Sequence, residues 1–178
     1  MPNKTIAVFC AASYTIDPKY NVVARDFVRA ASLLGYTIVT GGTVKGTMGV
    51  IADELAAIGG KHIGIVPRFM TDLAHTGLTD TIWTNTLSDR KNHMRALSGA
   101  VVALPGGIGT LDELMETYTL KKLEQYKGEV YVLNCFGFYD SLEALMDYYV
   151  ETEMLEESAR AQIHFPKTVE ELIALLEK

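Results

Sequence analysis

Residues Val101–Glu113 read VVALPGGIGTLDE and contain the local signals that decide the fold. The first four residues are apolar and predict a buried strand, and Pro105-Gly106-Gly107 predicts a tight turn after it. We expect a helix from Leu111, with Asp112 and Glu113 in its first turn. Glycines permit close backbone approach, and a helix N-terminus presents unpaired N–H groups. This strand–turn–helix unit therefore predicts a site for an anion such as phosphate.

Apolar runs of strand length alternate with amphipathic stretches of helix length along the chain. The runs typical of strands are Ile6–Cys10, Tyr36–Thr40, His62–Val66, Thr81–Thr84, Ala100–Leu104 and Val130–Asn134. Helical spacing occurs in Tyr20–Leu34, Met48–Ile58, Ser88–Leu97, Leu111–Gln125, Tyr139–Val150 and Thr168–Leu176. Most of the strand runs are continuously apolar, as expected where helices cover both faces of a parallel sheet. We therefore predict an α/β fold in one domain, residues 1–178, built as a Rossmann-like, doubly wound parallel sheet with helices on both faces.

Composition narrows the classes of function. The 178 residues are 48% hydrophobic and 21% charged, as is ordinary for a globular domain. The formal net charge of −6 argues against a nucleic-acid partner, because such domains normally carry a basic surplus. No apolar run approaches the length of a membrane span, so we expect no membrane partner and a cytoplasmic location. Cys10 and Cys135 are predicted to be buried free thiols, and no residue set has metal-ligand spacing.

Glycine-rich segments follow two of the predicted strands. Gly41 and Gly42 follow the second strand, and the Gly106–Gly109 turn follows the strand that ends near Leu104. The carboxyl ends of parallel strands share one edge of the sheet, so these segments predict a ligand crevice at that edge. The sequence contains neither a G-x-G-x-x-G dinucleotide motif nor a G-x-x-x-x-G-K-[ST] phosphate loop, which disfavours a dinucleotide dehydrogenase and an ATP-driven motor.

The charged residues near the crevice each have a structural and a functional interpretation. Thr110 and Glu113 have the spacing of a capping box, in which their side chains bond the first turn of a helix. Alternatively, Glu113 is a catalytic acid or base beside a bound nucleotide. Arg90 and Lys91 fit the solvated face of a helix, with partners three or four residues away. Alternatively, they form the basic half of the same site.

Two motifs together resemble one enzyme family. Arg90-Lys91 and the P-G-G-x-G-T-x-x-E sequence at Pro105–Glu113 are similar to paired signatures of the LOG family. Members of that family are cytokinin riboside 5′-monophosphate phosphoribohydrolases, often catalogued as lysine decarboxylases. The Gly41–Gly49 segment also resembles the family's G-G-G-x-x-G-x-M-G loop, although Thr43 replaces the third glycine. The resemblance spans nearly the whole chain.

The resemblance implies a reaction and a set of site residues. Family members hydrolyse the N-glycosidic bond of a nucleoside 5′-monophosphate to a free base and ribose 5-phosphate, typically as homodimers with the site near the subunit boundary. By motif, Arg90 and Glu113 are the expected catalytic pair, and Arg90 is expected to keep Glu113 ionised. Expected substrate-binding residues are Gly41, Gly42, Asp72, Arg90, Lys91, Gly106, Gly107, Ile108, Gly109, Thr110, Leu111, Asp112 and Thr119. The scheme requires neither a metal nor a cofactor.

Two alternative functions remain at this stage. A nucleotide or nucleotide-like cofactor carrier would use the same crevice without chemistry. Amino-acid decarboxylation is disfavoured, because it normally needs a pyridoxal phosphate Schiff base and no lysine stands in a context that singles it out. The family's usual tryptophan and glutamine after Thr119 are replaced by Leu120-Lys121-Lys122. This departure concerns the choice of base and leaves the reaction residues in place.

Overall fold

The computed structural model describes residues 4–178, which form one seven-stranded, entirely parallel sheet with helices packed against it. The strands are β1 (Thr5–Phe9), β2 (Thr37–Thr40), β3 (His62–Pro67), β4 (Asp80–Thr84), β5 (Ala100–Ala103), β6 (Glu129–Val132) and β7 (Ile163–His164). The α-helices are α1 (Pro18–Leu33), α2 (Gly46–Ile58), α3 (Leu87–Leu97), α4 (Ile108–Lys122), α5 (Asp140–Glu151), α6 (Glu157–Arg160) and α7 (Val169–Leu176). Short 3₁₀ helices cover Arg68–Leu73 and Cys135–Gly137.

The strand order β4-β3-β2-β1-β5-β6-β7 places the point where the chain reverses direction across the sheet between β1 and β5. β1 pairs with β2 on one side and with β5 on the other, so the loops that leave β1 and β5 diverge to opposite faces. In doubly wound sheets such a point opens a crevice at the carboxyl ends of the strands. The predicted fold class is confirmed, and the crevice lies beside the stretch that follows β5.

Two hydrophobic layers sandwich the sheet. Alternate residues of β1 enter different layers: Ile6 and Val8 pack with helices α1, α2 and α7, whereas Ala7 and Phe9 pack with helices α3 to α6. All four of these side chains are buried. The continuous apolar runs predicted from the sequence therefore exist because both faces of the sheet are covered. No helix among residues 4–178 is long and apolar enough to cross a membrane.

Helix boundaries follow local capping chemistry, and both predicted ends of α4 were displaced by three residues. Asp17 accepts a hydrogen bond from Lys19 N at 3.0 Å and starts α1 with a proline at its first position. Helix α4 begins at Ile108, three residues before the predicted start, and none of the described side chains caps it. The capping box that the spacing of Thr110 and Glu113 permitted is thus absent, and Glu113 lies in the second turn. β7 and α6 were not predicted, because segments this short carry little periodic signal.

Gly42 allows the chain to turn closely over the neighbouring strand. Its φ is +66°, and a Cβ atom at this position would lie 2.7 Å from the Cα of Gly64 in β3. Gly59, which ends α2, has a similar φ of +69°, but a Cβ atom there would meet nothing within 4 Å. The two glycines therefore separate the cost of backbone strain from the cost of a backbone clash.

We expect Gly42→Ala to lower the free energy of unfolding by about 2–5 kcal/mol, from left-handed strain plus overpacking against β3. Gly59→Ala, the matched control, is expected to cost about 1–2 kcal/mol from strain alone. Urea unfolding followed by circular dichroism measures both values. Equal losses for the two variants would contradict the close approach of Gly42 to Gly64.

Candidate functional site

A cavity of about 540 Å³ opens between the carboxyl ends of β1 and β5. Its walls come from the segments after these strands, from the N-terminal turns of α1, α2 and α4, and from one face of α3. The lining residues are Val8, Cys10, Ala11, Ala12, Ser13, Ile16, Asp17, Tyr20, Gly41, Met48, Arg90, Met94, Pro105, Gly106, Gly107, Ile108, Gly109, Thr110, Glu113 and Phe138. The volume lies within the usual range for a small-molecule site.

The turn after β5 presents backbone to the cavity. A Cβ atom at Gly106 would lie 2.1 Å from Thr110 Oγ1, so only glycine lets the buried Thr110 side chain fold back onto the turn. At Gly107 and Gly109 a Cβ would meet nothing within 4 Å, and both positions are exposed. The N–H groups of the first turn of α4 have no intrahelical acceptors, and no side-chain cap bonds them either. This end of the cavity can therefore bind an anion.

Arg90 lies across the cavity from this turn. Its Nε donates to the carbonyl oxygen of Ile65 at 3.1 Å, and its Nη2 donates to the sulfur of Met48 at 3.8 Å. The guanidinium occupies the space beside Gly41, where a Cβ atom would lie 1.4 Å from Nη2. Arg90 is thus held by neutral groups of β3 and α2, and its positive charge is available to a ligand.

Glu113 enters the cavity from the second turn of α4. Among the described residues no hydrogen-bond or ion-pair partner contacts its carboxylate, although Arg90 lines the same cavity. Burial raises the pKa of Glu113 to about 7, with the nearby Arg90 charge opposing the rise and the Asp112 charge adding to it. Arg90 does lower the pKa of Glu113, as expected, but by less than burial raises it. A carboxyl group with a pKa near 7 can exchange protons at neutral pH.

Cys10 lies in the same wall and stays protonated. Burial raises the pKa of its thiol well above the usual range, and the neighbouring Glu113 carboxylate adds to this effect. A protonated thiol is a poor nucleophile. Among residues 4–178 no group of three or more histidine, cysteine, aspartate or glutamate side chains is arranged to hold a metal ion.

The structure brings together eight of the predicted site residues and leaves six outside the cavity wall. Those that line the cavity are Gly41, Arg90, Gly106, Gly107, Ile108, Gly109, Thr110 and Glu113. Those outside the wall are Gly42, Asp72, Lys91, Leu111, Asp112 and Thr119. Asp72 is exposed in the first 3₁₀ helix, and Thr119 donates to Met115 O at 2.8 Å from an exposed position on α4.

Lys91 points away from the cavity into an ion-pair network between α3 and α4. Its Nζ lies 2.9 Å from Asp112 Oδ2 and also pairs with Glu116. Partial burial lowers the pKa of Lys91, but its hydrogen bonds to Glu116 and Asp112 outweigh burial and hold the pKa above its ordinary value. Glu116 additionally accepts from Arg95 at 3.0 Å. The network joins the helix that carries Arg90 to the helix that carries Glu113.

Sequence reasoning missed part of the cavity wall. Asp17 and Tyr20 line the cavity from the start of α1, and Ser13, expected at the end of the first strand, had been given no role. The strand before them ends at the predicted crevice, which is the signal that could have found them. Met48 lay in a recognised motif but was given no role. Phe138 reaches the cavity from the segment after β6 and packs edge-to-face against Tyr20, with 5.3 Å between the two ring centroids. No local pattern indicates a contact between segments so distant in sequence.

The sequence of the chain matches a family of known proteins. A family model described as "Possible lysine decarboxylase" matches residues 48–176. A protein of Mycobacterium marinum named cytokinin riboside 5′-monophosphate phosphoribohydrolase is 31% identical, covering 89% of this chain and 86% of the relative. An Arabidopsis thaliana protein of the same enzyme name is 33% identical, covering 98% of this chain and 83% of the relative. The chain belongs to the LOG family.

Solved structures show how widely the LOG-family fold is shared. A molybdenum cofactor carrier protein from Chlamydomonas reinhardtii superposes with a TM-score of 0.73 at 21% identity, covering 97% of this chain and 95% of that chain. A molybdenum cofactor binding protein from Rippkaea orientalis gives 0.72 at 23% identity, covering 97% and 94%. Similarity at these identities shows a common fold and leaves the function of the LOG-family chain to its site residues.

The raised pKa of Glu113 predicts a gain in stability when its charge is removed. The folded state binds the Glu113 proton more tightly than the unfolded state does, so the contribution of Glu113 to the free energy of unfolding falls as pH rises from about 4.5 to 7. At pH 8 we expect Glu113→Gln to raise the free energy of unfolding by about 1–3 kcal/mol, with no gain at pH 4.5. Denaturant unfolding at both pH values measures this difference.

Glu116→Gln is the matched control, one turn further along α4. Partial burial raises the pKa of Glu116, but its hydrogen bond to Lys91 and the charge of Arg95 outweigh burial and lower the pKa. The opposite sign is therefore expected: the variant loses stability at pH 8. No gain for Glu113→Gln at pH 8 would show that burial of Glu113 does not govern its titration, and an equal gain for Glu116→Gln would show that the effect is not specific to Glu113.

Proposed function

We propose that this LOG-family protein is a nucleoside 5′-monophosphate phosphoribohydrolase. It adds water across the N-glycosidic bond of AMP or a cytokinin riboside monophosphate and yields the free base and ribose 5-phosphate. The single observation that carries the proposal is that Arg90 and Glu113 line one cavity beside the uncapped N-terminus of α4. The names of the relatives in Mycobacterium marinum and Arabidopsis thaliana support the same reaction.

The phosphate is placed first. Backbone N–H groups of the Ile108–Thr110 turn and the positive end of the α4 dipole attract the phosphate oxygens. The open space at Gly107 and Gly109 lets the anion approach the backbone. Arg90 supplies a charged donor from the opposite wall and offsets the repulsion between phosphate and Glu113. The nucleotide is thereby oriented with its ribose near Glu113.

Glu113 then acts on the reacting carbon. Breaking the bond between C1′ and the base nitrogen builds positive charge on the ribose ring, as in glycoside hydrolysis. The ionised Glu113 carboxylate stabilises that charge and accepts a proton from the attacking water. The bond electrons leave with the base, which takes up a proton from solvent, and the water oxygen becomes the C1′ hydroxyl. Glu113 returns the proton of the attacking water to solvent, so one water is consumed overall. Because none of the described residues bonds the Glu113 carboxylate, its acceptor oxygens are free for this water.

A cofactor carrier is the second candidate, favoured by the fold shared with molybdenum cofactor carrier proteins. A carrier gains nothing from a buried carboxylate whose pKa is near 7, and that carboxylate costs stability at neutral pH. Lysine decarboxylation has less support, because the described residues lining the cavity include no lysine that could form a Schiff base. We therefore favour the hydrolase.

We also propose that the enzyme acts as a homodimer, as the LOG resemblance implies. Lys91, Asp112 and Thr119 lie outside the cavity wall of the single chain, on the α3–α4 surface. A subunit boundary along that surface would give these residues a part in substrate binding. The cytoplasmic location stays a prediction.

We expect the wild-type protein to release adenine and ribose 5-phosphate from AMP, and Glu113→Gln to lower kcat at least about 100-fold, because the carboxylate acts mainly in the transition state. Chromatography of the reaction products measures both. Glu151→Gln, at an exposed position on α5, is the control and should match wild type. Tight binding of AMP by the wild type without any base release would favour the carrier instead.

The pH dependence of kcat/KM provides a separate measurement of the Glu113 role. A base with a pKa of about 7 in the free enzyme predicts a tenfold loss for each pH unit below 7 and a plateau above it. Initial rates on AMP between pH 5 and 9 measure this limb. A kcat/KM that does not fall between pH 7 and pH 5 would contradict a role for Glu113 as the base.

A further inference from the structure

Arg90 is held at two of its three nitrogens. Nε donates to Ile65 O at 3.1 Å, and Nη2 donates to Met48 Sδ at 3.8 Å. Nη1 has no hydrogen-bond partner among the described residues and is not one of their fully buried polar atoms. Because guanidinium is planar, fixing Nε and Nη2 also fixes the direction of Nη1. The side chain therefore keeps one pair of N–H donors for a ligand in the cavity.

Space for this arrangement comes from Gly41 at the end of β2. Any Cβ atom there would lie 1.4 Å from Arg90 Nη2 and 2.5 Å from its Cζ. The same atom would lie 3.0 Å from Met48 Sδ. Gly41, Met48 and Arg90 thus pack as one unit, in which the glycine removes bulk and the sulfur supplies an acceptor.

Met48 is itself fixed by a second donor. It occupies the third position of α2 and is 9% exposed. The Thr43 hydroxyl donates to the same sulfur at 3.8 Å. A thioether is a weak, neutral acceptor, so it can orient a guanidinium without cancelling its charge. A carboxylate at this place would bind Arg90 more strongly and take up the charge needed by the substrate phosphate.

We propose that Met48 is a positioning residue for Arg90. Its sulfur accepts the Nη2–H donor and turns Nη1 toward the phosphate or ribose of the substrate, while the guanidinium keeps its full charge. This role rests on the proposed hydrolysis, in which Arg90 orients the nucleotide over Glu113.

Met48→Leu removes the acceptor and keeps the approximate volume. We expect kcat/KM for AMP to fall by between ~5- and ~50-fold, because small misplacement of a binding group weakens transition-state stabilisation. Affinity for inorganic phosphate, measured by calorimetry, should fall several-fold. The acidic limb of kcat/KM should move to higher pH as the Arg90 charge becomes less well placed beside Glu113. Initial rates between pH 5 and 9 give the limb.

Two further variants separate hydrogen bonding from packing. Met48→Gln restores an acceptor oxygen on a side chain of similar length and should return kcat/KM to within about threefold of wild type. Met146→Leu makes the same exchange at a buried methionine of α5, outside the cavity, and should leave rates and phosphate affinity unchanged. Thermal unfolding of all three variants shows whether each is folded.

The proposal is overturned if Met48→Leu keeps wild-type kcat/KM and phosphate affinity. Equal impairment of Met48→Leu and Met48→Gln also overturns it, since the acceptor would then be irrelevant. If the wild type releases no base from AMP, the proposed function fails by itself. Phosphate affinity and the titration of Glu113, followed by NMR of its carboxyl carbon in the unliganded protein, then decide the role of Met48 without turnover.

Discussion

The central interaction in this molecule is the anchoring of Arg90 by groups that leave its charge uncompensated. Its two anchors, the Ile65 carbonyl and the Met48 sulfur, are both neutral. Three parts of the fold contribute to this arrangement. β3 supplies the carbonyl, α2 supplies the sulfur, and Gly41 after β2 leaves room for the guanidinium. An ion pair with Glu113 would have held Arg90 more strongly, but it would have neutralised both groups. The cavity instead keeps a cation and a proton-exchanging carboxyl group apart within one enclosure.

Burial of Glu113 opposes the attraction of Arg90 and is the larger effect. The pKa near 7 that results is unfavourable for stability at neutral pH and favourable for base catalysis at the same pH. The surrounding fold offsets that cost through its two apolar layers, in which β1 is covered on both faces. Stability lost at a reactive group and regained in the core is common where function requires a perturbed ionisation.

Local patterns predicted most of the framework, because their causes are local. Continuous apolar runs indicated strands covered on both faces, and six of the seven strands were predicted close to their observed positions. The start of α4 was misplaced, because Thr110 and Glu113 have capping spacing while the backbone turns at Gly107 instead. The family motif assigned Lys91 to the substrate together with Arg90, and that assignment stays a prediction. Successive helical residues point in different directions, so in the single chain Lys91 pairs with Asp112 while Arg90 lines the cavity.

The amino-acid sequence by itself determined the α/β class, the glycine turn after β5 and, through the Arg90-Lys91 and Pro105–Glu113 motifs, the family. These features depend on residue type and on short spacing, which a single chain displays directly. Only the tertiary structure decided that Met48, Gly41 and Ile65 surround Arg90 and that Phe138 lines the cavity. It also decided that burial raises the pKa of Glu113. Each of these depends on which strands become neighbours, and strand order is set by packing of the whole sheet rather than by any local pattern.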